Sequence, residues 1–123
     1  AAHNPDDCVA LAAELARMRP DYARVVLLFG VLRDKDHGAM MALLRPQVDA
    51  LVVATPDTPR ALPAKELLGR RQGDAIDDPV RAFTLARKRA GKRGLVVVAG
   101  SIFLMAAVRA HVLGLSSDPP IAM

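Results

Sequence analysis

The fold of this chain is indicated most clearly by the stretch Arg24–Leu44, RVVLLFGVLRDKDHGAMMALL. It opens with an uninterrupted apolar run, 25–29, before Gly30. A short apolar run bounded by a charge and a glycine is typical of a strand buried on both faces. A polar loop, 33–38, follows, and the apolar run 39–44 then predicts a helix. In an open parallel sheet, ligands gather beyond the carboxyl ends of the strands, so the charges of this loop form a candidate site.

The same alternation of strand and helix patterns continues along the chain. Asn4 and Pro5 predict a helix start, because asparagine caps helices well and proline suits their first position. The predicted helices are 5–18, 39–44, 63–70, 79–90 and 102–113, and the predicted strands are 24–29, 48–54, 75–76 and 95–99. The last helix is apolar almost all round, which predicts that it is buried. We expect 114–123 to be loose.

Strands that alternate with helices indicate right-handed βαβ units and a parallel sheet covered on both sides. We therefore predict the α/β class: a three-layer αβα, Rossmann-like domain with a mostly parallel sheet. The length of 123 residues is close to the common size of one domain. Residues 1–123 are accordingly expected to form a single domain.

Composition limits the partners of this chain. The net charge is +4, from 17 basic and 13 acidic residues, and the basic residues cluster only at 70–71, 87–89 and 92–93. Solvated helix ends, where cations are favoured, explain these clusters better than a nucleic-acid patch does. Aromatic residues make up 3% of the chain, which argues further against base stacking. We expect no nucleic-acid partner.

The single cysteine, Cys8, excludes an internal disulfide framework and fits a reducing compartment. It lies on the apolar face of the first predicted helix, so we interpret it as a small buried hydrophobe. No apolar segment has the length of a membrane span, and the polar N-terminus is unlike a signal peptide. We expect a cytoplasmic monomer that has no membrane partner.

Three loops are expected to meet at the carboxyl edge of the sheet, after Phe29, Ala54 and Ala99, beside the start of the first helix. The polar residues that they bring to this edge are His3, Asn4, Asp34, Lys35, Asp36, Thr55, Asp57, Arg60 and Ser101. A helix N-terminus with polar side chains binds anions and phosphates. This set therefore predicts a site for a charged ligand.

Each of these residues also has a simpler explanation. The capping positions, Asn4, Asp36 and Ser101, are explained equally as helix caps. The other charged residues are explained as solvated surface charges, and His3 as part of a frayed chain end. The histidines are too dispersed for a metal cluster, and no phosphate-cradling P-loop motif occurs. A receiver-type signalling domain is excluded, because the last strong strand is not followed by lysine.

Four short segments, taken in chain order, resemble motifs of the folylpolyglutamate synthase/dihydrofolate synthase branch of the Mur ligase family. They are Ala2-His3-Asn4-Pro5, Phe29-Gly30 with Asp34-Lys35-Asp36, Thr55 with Pro59-Arg60-Ala61, and Gly100-Ser101-Ile102-Phe103-Leu104 with Val108-Arg109. Each motif alone is weak, whereas the ordered set, which spans nearly the whole chain, is fairly specific.

The resemblance implies the C-terminal domain of an ATP-dependent amide ligase that adds L-glutamate to a folate or dihydropteroate carboxylate through an acyl phosphate. By the same analogy, His3, Asn4 and Ser101 would face the nucleotide. The loop 34–36 (Asp34, Lys35 and Asp36) and Arg60 would bind glutamate, Arg60 by pairing with a carboxylate. No catalytic residue is assigned. ATP and Mg²⁺ would act in the intact enzyme, with the Mg²⁺ ligands mainly on a central ATPase domain, the implied partner.

The sequence also departs from the family pattern. The glutamate that usually precedes Val108-Arg109 is Ala107 here, and the P-loop of the central ATPase domain is not present. We therefore expect this polypeptide to be inactive as a ligase on its own. The alternatives are a free-standing, non-catalytic domain that binds a nucleotide or an amino acid, and the C-terminal domain of another Mur-type ligase. Dihydrofolate synthase activity and polyglutamate extension are both compatible with the family-like motifs.

Overall fold

A computed structural model describes residues 2–114 and the backbone of 121–122. The helices are α1 Pro5–Met18, α2 His37–Leu44, α3 Ala64–Leu68, α4 Pro79–Ala90 and α5 Ile102–Leu113. The strands are β1 Val25–Gly30, β2 Ala50–Val53, β3 Asp74–Ala75, β4 Leu95–Gly100 and β5 Ile121–Ala122.

The strands form one parallel sheet in the order β3-β2-β1-β4-β5. The central strand, β1, pairs with β4 along its whole length, from Val25 opposite Leu95 to Gly30 opposite Gly100. Because all strands run in one direction, their ends define two opposite edges. We call the edge where the strands end the carboxyl edge and the edge where they begin the amino edge.

Helices cover both faces of this sheet, as the apolar runs of the strands predict. On one face, α1, α2 and α3 pack against side chains of the central strands such as Leu27, Phe29 and Val53. On the other face, α4 and α5 pack against alternate residues such as Val26 and Leu28. Side chains of successive strand residues point to opposite faces. The three-layer αβα prediction is therefore confirmed.

Several predicted boundaries shift by one or two residues. Helix α2 begins at His37, earlier than predicted, because the Asp36 carboxylate caps it by accepting from the amide of Ala39 at 3.1 Å. Strand β2 begins only at Ala50, because the chain first passes through a short 3-10 helix at Arg45–Gln47.

The prediction that α5 is buried all round is wrong. Its buried residues are Leu104, Met105 and Val108, whereas Ile102 and Phe103 are 58% and 42% exposed. Helix α5 packs on β4 and α4 through one face, and no further layer of the described residues covers the other face. High apolar content therefore does not indicate burial here.

The prediction of a loose tail is wrong for Ile121–Ala122, which pair with Val96 and Val97 as β5. The tail residues 115–120 and 123 lie outside the described residues. Within residues 2–114, no helix combines the length and the apolar content that a membrane crossing requires.

Cys8 is fully buried in α1, as predicted. Burial raises the pKa of its thiol to about 11, and the nearby Asp7 carboxylate adds to the effect. At neutral pH the thiol is therefore protonated and lacks the thiolate that nucleophilic chemistry needs.

Candidate functional site

The carboxyl edge is closed by a tight contact between the last residues of β1 and β4. Gly100 has φ of +107°, and a Cβ atom placed on it would lie 2.1 Å from the carbonyl oxygen of Gly30. Only glycine fits such an approach in that backbone conformation. The amide of Ser101 donates to the same Gly30 carbonyl at 2.7 Å. This hydrogen bond places the N-terminus of α5 at the carboxyl edge.

The N-terminal segment is fastened to the same place. The amide of Gly100 donates to the carbonyl of Ala2 at 2.6 Å, so His3 follows directly at the carboxyl edge. The Asn4 side chain caps α1 by accepting from the amide of Asp7 at 2.8 Å. The imidazole Nδ1 of His3 lies 3.1 Å from the Asp7 carboxylate.

The loops after β1 and β2 are clamped together by a short antiparallel bridge that the sequence did not predict. Leu32 pairs with Ala61, and the amide of Arg33 donates to the carbonyl of Arg60 at 2.9 Å. Because the backbones are joined in this way, the loop that carries Lys35 and the loop that carries Arg60 are held side by side.

These contacts bring distant parts of the chain to one cavity of about 340 Å³. Its lining residues are His3, Leu32, Lys35, Arg60, Gly100, Ser101, Ile102 and Phe103. The structure therefore brings together one predicted site residue from each of the four family-like segments: His3, Lys35, Arg60 and Ser101. The remaining members of the predicted set, among them Asn4 and Asp36, lie outside this lining.

The cavity is suited to an anion. Lys35 as a whole is half-buried, and its ammonium has no carboxylate within ion-pair distance among the described residues. The exposed Arg60 guanidinium lies 3.7 Å from the Asp34 carboxylate, a loose ion pair that leaves most of its donors available. The N-terminus of α5, which begins after Ser101, adds the positive end of a helix dipole.

Three predicted site residues are used as helix caps. Asn4 and Asp36 cap α1 and α2, and the Ser101 hydroxyl oxygen accepts from the amide of Phe103 at 3.0 Å. Ser101 nevertheless lines the cavity, and its hydroxyl hydrogen is still a possible donor to a ligand.

The polar residues Thr55 and Asp57 lie along the carboxyl edge but away from this cavity. The Thr55 hydroxyl donates to the Asp77 carboxylate at 2.8 Å and accepts from the amide of Ala64 at 2.9 Å. Thr55 therefore joins the loop after β2 to α3 and to the segment before α4. Thr55, Asp57 and Asp77 line a separate, more open cavity.

The apolar wall of the cavity was missed from the sequence. Leu32 is buried, whereas Ile102 and Phe103 are exposed beside it. The only signal available was the position of Ile102 and Phe103, directly after a strand-ending Gly-Ser pair. The exposure of large apolar side chains at a site is typical of surfaces that bind something.

Comparison with known proteins gives consistent results. The sequence signature described as Mur ligase, glutamate ligase domain, matches residues 1–102. A probable bifunctional folylpolyglutamate synthase/dihydropteroate synthase of Halobacterium salinarum is 36% identical over 120 residues, which cover 88% of this chain and 14% of that protein.

Solved structures are similar as well. Escherichia coli FolC in complex with ADP matches with a TM-score of 0.83 at 30% identity, over 92% of this chain and 28% of that one. A bifunctional folylpolyglutamate synthase/dihydrofolate synthase with Mn, AMPPNP and L-glutamate bound gives a TM-score of 0.77 at 29% identity, over 93% of this chain and 28% of that one. The chain thus spans only a small part of each of these relatives.

Proposed function

The chain belongs to the Mur ligase family, in its glutamate ligase domain, and from that premise we propose that it is the C-terminal domain of an ATP-dependent amide ligase. The substrates we propose are L-glutamate and a folate or dihydropteroate carboxylate. The names of the relatives support this choice, since they are folylpolyglutamate synthases and dihydrofolate synthases. The central ATPase domain of the same protein is the proposed partner.

In the proposed reaction, a carboxylate oxygen of the folate or dihydropteroate attacks the γ-phosphorus of ATP, the bond from that phosphorus to the bridging oxygen breaks, and ADP leaves. The amine nitrogen of glutamate then attacks the acyl carbon. The carbon–oxygen bond to phosphate breaks, inorganic phosphate leaves, and the amine gives up a proton. Both steps spread negative charge over oxygens, so fixed cations and donors lower the barrier, as does the alignment of two bound substrates.

The observation that carries the proposal is the convergence of Lys35, Arg60 and the α5 N-terminus on one cavity. Glutamate has two carboxylates, and this cavity offers two cations, Lys35 and Arg60. The Arg60 guanidinium has the planar fork that pairs with a carboxylate through two hydrogen bonds. We assign Arg60 to one glutamate carboxylate, with Lys35 beside it. The ligand carboxylate would replace the loose ion pair that Arg60 makes with Asp34.

On the nucleotide side, we assign His3 and Ser101 to the phosphates, and Asn4 to holding His3 in place through the α1 cap. Among the described residues, no three His, Cys, Asp or Glu side chains lie close enough together to hold a metal ion. We assign the Mg²⁺ of the intact enzyme to the central domain.

A domain exchange tests this proposal. The matching part of Escherichia coli FolC, which is 30% identical to this chain, is replaced by residues 1–123. The chimera is assayed for ADP release and amide formation with ATP, dihydropteroate and L-glutamate. We expect turnover that depends on all three substrates. FolC rejoined to its own domain through the same junctions is the control for the joining itself.

The outcomes separate the candidate functions. A folded chimera that binds glutamate but forms no amide, beside an active control, would favour a non-catalytic binding domain. Turnover with a different amino acid in preference to glutamate would indicate another Mur-type ligase.

A further inference from the structure

The amino edge carries a concentration of positive charge that the proposed ligase site does not use. It consists of the segments that lead from each of the first four helices into the next strand, residues 14–24, 45–50, 69–74 and 87–94. These segments hold eleven of the 17 basic residues and only four acidic ones. The clusters at 70–71, 87–89 and 92–93, which are scattered in the sequence, therefore share one edge of the fold.

Helix ends account for only part of this charge. Helices α1 to α5 all end at the amino edge, and each helix C-terminus carries about half a negative charge. Together with the four carboxylates, these ends leave an excess of about four to five positive charges. Solvated helix ends alone would not need such an excess, since cations at one surface repel each other.

Five of these cations line two adjacent grooves. Arg24, Arg45 and Arg89 line the first, of about 250 Å³. Lys92 and Arg93 line the second, of about 470 Å³. The two linings meet at consecutive residues of the chain, since Ala23 lines the second groove and Arg24 lines the first. We call Arg24, Arg45, Arg89, Lys92 and Arg93 the basic strip. Only Arg89 has a carboxylate partner among the described residues, Asp74 at 3.3 Å.

We propose that the basic strip is a docking surface for an acidic polypeptide segment in extended conformation. The grooves span the beginnings of β3, β2, β1 and β4, about 14 Å across at the usual strand spacing. An extended peptide of four or five residues covers this distance. Guanidinium groups, which outnumber ammonium groups here, pair well with carboxylates.

Carboxylates that line the same two grooves favour a polypeptide over a nucleic acid. Asp49 and Asp74 line the first groove and Asp21 lines the second. The sugar–phosphate backbone of duplex DNA offers these carboxylates negative charge and no hydrogen-bond donor. A peptide backbone offers them N–H groups, from which they can accept hydrogen bonds. Among the described residues, the only aromatic side chain in these grooves is the half-buried Tyr22, which offers little for base stacking.

The test measures binding of a fluorescently labelled, end-capped hexa-L-glutamate peptide to the chain by anisotropy at low ionic strength. The strip variant carries Arg24→Gln, Lys92→Gln and Arg93→Gln. The matched control carries Lys65→Gln, Arg81→Gln and Arg109→Gln, which remove the same net charge from exposed positions elsewhere. Thermal unfolding of both variants confirms that each is folded.

We expect the strip variant to weaken peptide binding at least tenfold and the control to change it less than twofold. Equal weakening by both variants, or no binding by the original chain, would overturn the proposal. A duplex DNA that displaces the peptide at lower concentration than unlabelled hexaglutamate would also overturn it. Arg60→Ala distinguishes this surface from the ligase cavity: if that change abolishes peptide binding, the peptide occupies the cavity and the strip proposal fails, while the proposed function is unaffected.

Discussion

The two edges of one sheet differ in charge and in how their charges are held. Residues 2–7, 31–37, 54–63 and 76–81, at the carboxyl edge, hold seven acidic and four basic side chains, whereas the amino edge holds four acidic and eleven basic ones. At the carboxyl edge, backbone contacts place Lys35 and Arg60 at one cavity. At the amino edge, the cations are spread over two shallow grooves.

The number of charges at an edge therefore does not by itself locate a small-molecule site. The edge with the negative balance holds the cavity that Lys35 and Arg60 line, because a binding site needs a few cations fixed in position rather than many exposed ones. The positive edge is instead suited to a long, flexible anion.

The largest loss of stability is expected from substituting a glycine, and we compare two glycines, one from each edge. Both Gly100 and Gly91 have positive φ, but a Cβ on Gly100 would lie 2.1 Å from a backbone oxygen, whereas one on Gly91 would meet nothing within 4 Å. We expect Gly100→Ala to lower the free energy of unfolding by about 3 kcal/mol or more, from backbone strain plus overpacking. Gly91→Ala should cost about 1 to 2 kcal/mol, from the backbone alone, because its φ of 73° and ψ of −176° are adopted almost only by glycine. Equal losses in urea unfolding would show that the carboxyl edge is not closed by the Gly30–Gly100 contact.

The second comparison concerns the proposed ligand. In the FolC chimera, Arg60→Ala should raise the KM for L-glutamate about tenfold or more, because it removes a charged hydrogen bond to a carboxylate. Arg70→Ala, which removes an exposed arginine at the amino edge, is the control and should leave the KM unchanged. Steady-state kinetics at saturating ATP measure both. An unchanged KM in Arg60→Ala would count against its role.

A third comparison concerns structural carboxylates. Asp49, at the amino edge, accepts from the amide of Val25 at 2.7 Å and from Arg19 at 3.0 Å. Asp49→Ala should cost about 2 kcal/mol of stability, because it leaves a part-buried N–H without its acceptor. Asp36→Ala, at the carboxyl edge, removes only a helix cap and should cost about 1 kcal/mol. Denaturant midpoints that rank the two variants in the opposite order would contradict this reading.

The smallest expected effect concerns the pH dependence of stability. Because the pKa of Cys8 is raised to about 11 in the folded chain, the thiol ionises first in the unfolded chain as the pH rises. Stability should therefore decrease above the ordinary thiol pKa of about 8.5. The contribution should be about 1 kcal/mol at pH 9.5. Cys8→Ala should remove this slope, and a slope that persists in the variant would assign it to another group.

Much of the fold could be predicted from the sequence because its signals are local. The apolar run before Gly30 and the Asn4-Pro5 start each specify an element by themselves, and parallel strands then bring their carboxyl ends to one edge. The meeting of His3, Lys35, Arg60 and Ser101 followed from that rule together with the family-like motifs.

What the sequence could not provide depends on contacts between distant segments. The Leu32–Ala61 bridge joins two loops that have no pairing signal of their own. The exposure of Phe103 depends on what lies beyond α5, which periodicity does not encode. The gathering of Arg24, Arg45 and Arg89 around one groove likewise results from the strand order β3-β2-β1-β4.

An NMR titration of the ¹⁵N-labelled chain with L-glutamate tests the carboxyl-edge site most directly, with the Arg60→Ala chain as reference. We predict saturable chemical-shift changes of the Lys35, Arg60, Ser101 and Ile102 amides. No such changes are expected in the Arg60→Ala reference or at the amino edge of the original chain. Shifts confined to the amino edge, or shifts at the cavity that persist in the Arg60→Ala chain, would contradict the assignment of glutamate to this cavity.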